Sequence, residues 1–113
     1  EGFAVFSIDP AEFHYNPIGV VHGGVSATLL DSAMSCAIHT TLTAGERYTT
    51  LELKVNFVSP ITTATGPIRA EGRVIHRGRT VATADGRVTA EDSGQLLAHG
   101  VTTCLLLGAP ATR

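Results

Sequence analysis

Asp31 is the only formally charged residue between Pro17 and Gly45. A carboxylate in so apolar a stretch is costly to bury without donors, and its basicity is set by local burial and nearby amides. Upstream stands Asn16-Pro-Ile-Gly-Val-Val-His22-Gly23-Gly24. If a helix begins at the glycines, its first-turn amides lack intrahelical acceptors. Two residues without side chains let a carbonyl oxygen approach those amides closely, which is what an oxyanion hole requires. Asn16 adds a side-chain amide able to hold a water or a carbonyl. Each piece has an ordinary explanation: a solvent-facing helical Asp or a polar contact between copies, a glycine pair before a helix, an Asn-Pro turn. Together they form a kit for hydrolysing an acyl bond.

Other chemistries are poorly served. His14, His22, His39, His76 and His99 form no HExxH or close cluster, so no metal site is expected. Ser26, Ser32 and Ser35 lack a GxSxG elbow, and Cys36 has no activating base nearby in sequence and reads as core. The net charge of −2 argues against nucleic-acid binding.

The elements that must position this kit follow from composition and period. With 113 residues, 43% hydrophobic, the chain is expected to be one domain, residues 1–113, able to bury a core without staples. Charged residues are only 16%, against about 25% in typical domains, so disorder is not expected and a partner should cover part of the surface. Cys36 and Cys104 show no pairing pattern and read as reduced thiols of a cytoplasmic protein. Residues 1–6 do not resemble a signal peptide, and the absence of an initiator Met leads us to expect a preceding segment.

Phe3 to Ile8 reads as a short strand and Asp9 to Gly24 as loop. Val25 to Thr43 has helical spacing of Leu29, Leu30, Ala33, Met34, Ala37, Ile38 and Leu42, with Gly45 as the stop. Asp31 and short apolar runs argue against a membrane span. Beyond Gly45 the pattern alternates: Leu51, Leu53, Val55, Phe57; then Ile68, Ala70, Gly72, Val74; then a run over Thr80 to Glu91; then a more apolar run over Gln95 to Leu107. The breaks at 61–67, 77–79 and 91–94 predict hairpins in an antiparallel meander. Small inward residues on the middle strands leave room for one bulky object, the helix. The fold class is therefore α+β, one long helix wrapped by a curved antiparallel sheet, with free edges that predict a symmetric oligomer.

The segment Asn16 to Ala33, continued by Thr50 to Pro60 and Arg77-Gly78-Arg79-Thr80, resembles the hotdog-fold acyl-CoA thioesterases, in the PaaI-like, phenylacetate-degradation-type branch. The resemblance implies hydrolysis of an acyl-CoA to acid and CoA, with CoA part of the substrate and no further cofactor. It implies that the Gly23 amide polarises the thioester carbonyl and that Asp31 acts as general base or nucleophile. Asn16 would help place water or thioester, Thr50 would orient the water, and His22 would shape the loop beside Gly24. Ser35 lies one turn beyond Asp31 as a supporting residue. It also implies that Asp31 and the glycine amide come from different subunits of a homodimer, paired again into a tetramer. Arg69, Arg73, Arg77, Arg79 and Arg87 are five of the eight basic residues. They read either as a solvated sheet face or as a surface for CoA phosphates, with Arg77 and Arg79 most exposed. A hotdog enoyl-CoA hydratase or dehydratase is the rival enzyme, although its Asn-Pro to His spacing differs. A non-catalytic acyl-CoA-binding protein is the rival of another class.

Overall fold

In the computed structural model, which describes residues 1–108, the chain runs β1 (Phe3–Ile8), α1 (Gly23–His39), β2 (Arg47–Phe57), β3 (Ile68–Arg77), β4 (Val81–Ala90) and β5 (Leu96–Leu107). The strands form one antiparallel sheet in the order β1-β3-β4-β5-β2, and α1 lies against its inner face. This is the expected hotdog arrangement.

Small residues on the inner face seat the helix. Gly72, Gly86 and Gly100 sit opposite one another in consecutive strands and form a row across the sheet. A Cβ at Gly72 would lie 2.2 Å from the carbonyl oxygen of Ala33, and one at Gly86 would lie 2.9 Å from Cγ of Met34. The helix backbone therefore rests almost directly on the sheet backbone, which only glycine permits. Leu30, Ala33, Met34, Ala37 and Ile38 are fully buried above this row, with Ala70, Ala82, Ala84 and Val88 beneath. Burial on this scale, at about 25 cal/mol per Å² of apolar surface, is the main favourable term holding α1 in place.

Three expectations need correction. The helix spans Gly23–His39 rather than Val25 to Thr43. It starts earlier because the His22 side chain caps it, accepting from the Gly24 amide at 2.9 Å. It ends earlier because the Thr40 and Thr41 hydroxyls bond back to the carbonyls of Ala37 and Ile38, each at 2.7 Å, competing for the last-turn acceptors. Gly45, at φ +88°, serves the turn into β2 instead.

Residues 61–67 do not form a hairpin. β2 pairs with β5 at the far edge, so the chain crosses the end of the sheet to reach β3. Pro60 and Pro67 offer no amides for a tight turn. The segment is held instead by Val21 N donating to Ile61 O at 2.7 Å and Glu91 N to Pro67 O at 3.0 Å. A bulge between Thr50 and Glu52 also breaks the alternation of β2. Tyr48 and Thr50 oppose the inward Leu106 and Cys104 before it, while Leu51 is 58% exposed.

Candidate active site

The loop 16–22 is built so that two donors are left over. Asn16 Oδ1 accepts from Ile18 N at 3.1 Å and Val20 N at 3.3 Å, an Asx turn that consumes the oxygen and fixes the orientation of the amide. Among the described residues the Asn16 NH2 group donates to nothing. At the start of α1, Gly24 N is taken by His22 Nδ1 and Val25 N by His22 O at 2.9 Å. The Gly23 N–H has no acceptor among the described residues, so the helix dipole ends on one free amide. Because His22 accepts at Nδ1, its ring N–H is at Nε2.

Asn16 and Gly23 line one hollow of about 300 Å³, together with Val21, Ser26, Phe57 and Ile61. Phe57 covers Gly23 closely: a Cβ there would meet the ring at 3.1 Å. Alternation placed Phe57 on the inward face of β2, yet its position over Gly23 depends on β2 pairing at the edge with β5, which no local pattern reveals.

Asp31 does not line that hollow. It lies eight residues along α1, about 12 Å by helical rise, half-buried, and accepts from Ser35 Oγ at 3.2 Å. On the inner face of β2, Thr50 Oγ1 sits 3.8 Å from Cys104 Sγ, and Tyr48 stands two residues before it, opposite Leu106. Burial pushes the Tyr48 phenol above its ordinary range, helped by the charges that Cys36, Cys104 and Asp31 can carry and opposed by the Ser35 hydroxyl. The helix thus has two separate polar features: the hollow lined by Asn16, Gly23 and Phe57 at its start, and the hydrogen-bonded pair Asp31 and Ser35 near its middle. Beside them runs the outer edge of β2, where Leu51 and Phe57 are 58% and 61% exposed, followed by Val58 at 50%.

The arginines separate. Arg77 turns inward and donates to Glu46, to Thr41 O and to Gly78 O, tying the loop after α1 to the β3–β4 turn. Glu46 is held below the usual carboxylate range by the Thr43 amide first, then by the Thr43 hydroxyl and the Arg77 charge, against burial. Gly78 makes the turn, its amide donating to Val81 O at 2.8 Å, and Arg79 is exposed at the tip. Arg73 and Arg87 instead border an open groove of about 520 Å³ on the outer sheet face, with Glu71, Asp85 and His99. That groove lies on the opposite side of the sheet from Asp31 and Gly23. Among the described residues no group of three His, Cys, Asp or Glu is placed to hold a metal, and no helix is long and apolar enough to cross a membrane.

Comparison with known proteins agrees with the fold. Residues 18–97 match the family model described as the thioesterase superfamily. Mouse acyl-coenzyme A thioesterase 13 is 30% identical over 89 residues, covering 79% of this chain and 62% of that protein; the chain thus spans a little under two thirds of that relative. A Bacillus halodurans protein whose crystal structure contains CoA superposes with TM-score 0.84 at 29% identity, covering 94% of this chain and 68% of that one. A phenylacetic acid degradation-related protein of Ralstonia eutropha superposes with TM-score 0.82 at 29% identity, over 92% and 76% of the two chains. On the strength of that match, which covers well over half of its residues, the chain belongs to the thioesterase superfamily.

Proposed function

We propose that this chain hydrolyses acyl-CoA thioesters as a homodimer, with Gly23 and Asn16 of one subunit and Asp31 of the other forming each site. One observation carries the reading: the free Gly23 amide and the free Asn16 amide share a hollow from which Asp31, on the same helix, is separated by about 12 Å. The exposed apolar edge of β2, beside both half-sites, supplies the surface on which a second copy would complete them. The names of the relatives support the substrate class.

In this reading the thioester carbonyl oxygen accepts from Gly23 N–H. Asp31 takes a proton from water as the hydroxide adds to the carbonyl carbon, and the oxyanion is stabilised at the amide. Collapse breaks the C–S bond, and the proton on Asp31 passes to the departing CoA thiolate. Thiolates leave readily, so no separate strong acid is needed. Direct attack by the Asp31 carboxylate, through an anhydride, is the other route its role allows, and a single turnover in ¹⁸O-water separates the two by labelling Asp31. Thr50 would orient the water, and Ser35 would hold the carboxylate. His22 and Gly24 satisfy each other and keep Gly23 free. Arg79, at the exposed hairpin tip with Gly78, is the better-placed partner for CoA phosphates, because Arg77 is already engaged. The reaction uses water and substrate alone, with no cofactor. Assembly of two dimers into a tetramer and a cytoplasmic setting for the free thiols Cys36 and Cys104 belong to the same proposal.

The test is Asp31→Asn, assayed by thiol release from a panel of acyl-CoA esters. We expect turnover to fall at least about 100-fold with melting temperature and oligomeric state retained. Near-wild-type release by the variant, or wild-type hydration of crotonyl-CoA without thiol release, overturns the reading.

A further inference from the structure

Ser26 is a buried polar residue that the reaction described above does not use. It is 3% exposed, stands in the first turn of α1, and lines the hollow shared by Gly23 and Asn16. Hydroxyl side chains inside a helix commonly bond back to the carbonyl four residues earlier. Thr28 does so, donating to Gly24 O at 2.8 Å, whereas Ser26 makes no side-chain hydrogen bond among the described residues. The carbonyl it would reach, that of His22, already accepts from Val25 N at 2.9 Å. Among the described residues, no fully enclosed side-chain nitrogen or oxygen lacks a partner. The Ser26 oxygen is therefore not sealed inside the protein: the little surface this residue keeps includes its hydroxyl, and the open space beside it is the hollow. The rest of that wall is mainly apolar, with Val21, Phe57, Val58, Ile61 and Leu97, and none of its lining residues is charged.

We propose that Ser26 selects the acyl group: the hollow takes a short acyl chain, and the Ser26 hydroxyl pairs with a neutral hydroxyl carried on its third carbon. This rests on the reading of Gly23 as the donor to the thioester carbonyl. With the carbonyl oxygen at Gly23, Ser26 lies three residues further along α1, about 4.5 Å by helical rise, within reach of a substituent two carbons beyond the carbonyl. The hollow of about 300 Å³ has room for roughly ten water-sized groups at about 30 Å³ each, so a short hydroxylated chain fits. A serine hydroxyl has one proton and two lone pairs and can meet an alcohol in either direction. A wholly apolar chain would expel water from that hydroxyl and put nothing in its place, a penalty that pairing removes. A chain ending in a carboxylate would fare worse, because no cation lines the hollow to balance the buried charge.

The experiment compares kcat/KM for thiol release from 3-hydroxyhexanoyl-CoA (each enantiomer), hexanoyl-CoA and glutaryl-CoA by wild type and Ser26→Ala, beside Asp31→Asn. Alanine removes only the hydroxyl and is the better helix former, and thermal melting verifies that each variant is folded. We expect wild type to favour the better hydroxy enantiomer over hexanoyl-CoA by about tenfold, the worth of one hydrogen bond, and glutaryl-CoA to be the poorest of the three. In Ser26→Ala the hydroxy ester should lose and hexanoyl-CoA gain, bringing their ratio within about twofold of one. A wild-type ratio near one overturns the proposal, as does a preference that survives in Ser26→Ala or a glutaryl ester cleaved as fast as the hydroxy ester. If wild type releases thiol, Asp31→Asn does not, and the ratio is the same in wild type and Ser26→Ala, only the role of Ser26 falls. If wild type releases no thiol from any of these esters, the reading as a thioester hydrolase falls and this proposal with it.

Discussion

Gly23→Pro removes one hydrogen-bond donor and sets a ring methylene in place of its hydrogen. Gly23 is the first residue of α1, where an amide has no intrahelical acceptor and proline is well tolerated. His22 already has φ −58° and ψ 136°, the extended conformation that residues before proline prefer. The steric cost is the new Cβ, 3.1 Å from the Phe57 ring, which must yield by a few tenths of an ångström. Gly23→Ala introduces the same Cβ and keeps the N–H, so the ratio of the two variants sets aside the Cβ and reads the exchange of the N–H for the ring methylene. Mild overpacking of about 1 kcal/mol corresponds to a loss of about fivefold for Gly23→Ala. Removing an oxyanion donor costs about 2.7–4 kcal/mol, so Gly23→Pro should lose a further factor of about 10²–10³ in kcat. Saturating thiol-release kinetics on hexanoyl-CoA reads the ratio, and thermal melts verify that both variants are folded. A folded Gly23→Pro that turns over within about tenfold of Gly23→Ala would refute the assignment of this amide to the carbonyl oxygen.

Mixing Asp31→Asn with Gly23→Pro under subunit exchange should restore about one quarter of wild-type activity, since half the dimers are mixed and each mixed dimer has one intact site. No recovery after verified exchange would place both groups in one chain. Gly72→Ala sets a Cβ 2.2 Å from a backbone oxygen that no side chain can vacate; it should cost about 3 kcal/mol, lowering Tm by roughly 10 °C or more, and a Tm equal to wild type would show that α1 is seated differently. Glu46 titrates below its ordinary 4.5, so near that range the folded chain binds fewer protons than the unfolded one, and its contribution is present at neutral pH and lost as pH falls through the lowered value. The stability gap between wild type and Arg77→Ala should therefore narrow below about pH 4.5; a gap constant to pH 3 contradicts the clamp. Arg79→Ala should raise KM for acyl-CoA with Tm unchanged, and an unchanged KM moves the phosphates elsewhere.

The helix, the strands and their inward faces were legible because each rests on a local period: Leu30, Ala33, Met34 and Ile38 at helical spacing, Ala82, Ala84, Gly86 and Val88 at every second position. The path from β2 to β3 was not legible, because pairing of β2 with β5 is settled by contacts far apart in sequence. The helix ends were misjudged for a different reason. Caps are made by side chains, and neither His22 Nδ1 nor the hydroxyls of Thr40 and Thr41 leave a mark on apolar periodicity. At the site, Asp31 and Gly23 were conspicuous by charge and by the absence of side chains. The surroundings of Arg77 were not, since an arginine in a hairpin looks the same whether it faces solvent or Glu46. Tyr48 went unmarked because it lies outside the alternating run that begins at Leu51, on the near side of the bulge.

The two half-sites are held in place by different means. Asn16 and Gly23 are set by hydrogen bonds within a few residues of one loop, so a lone chain presents them ready-made, whereas in the proposed dimer the acid would reach them only across a subunit boundary. Recognition of the carbonyl and its cleavage then have different stoichiometries. At high dilution the separated chain would keep the donors for the carbonyl without the acid that cleaves it, and specific activity would rise as copies pair. Activity per chain would then depend on protein concentration, with no second ligand required.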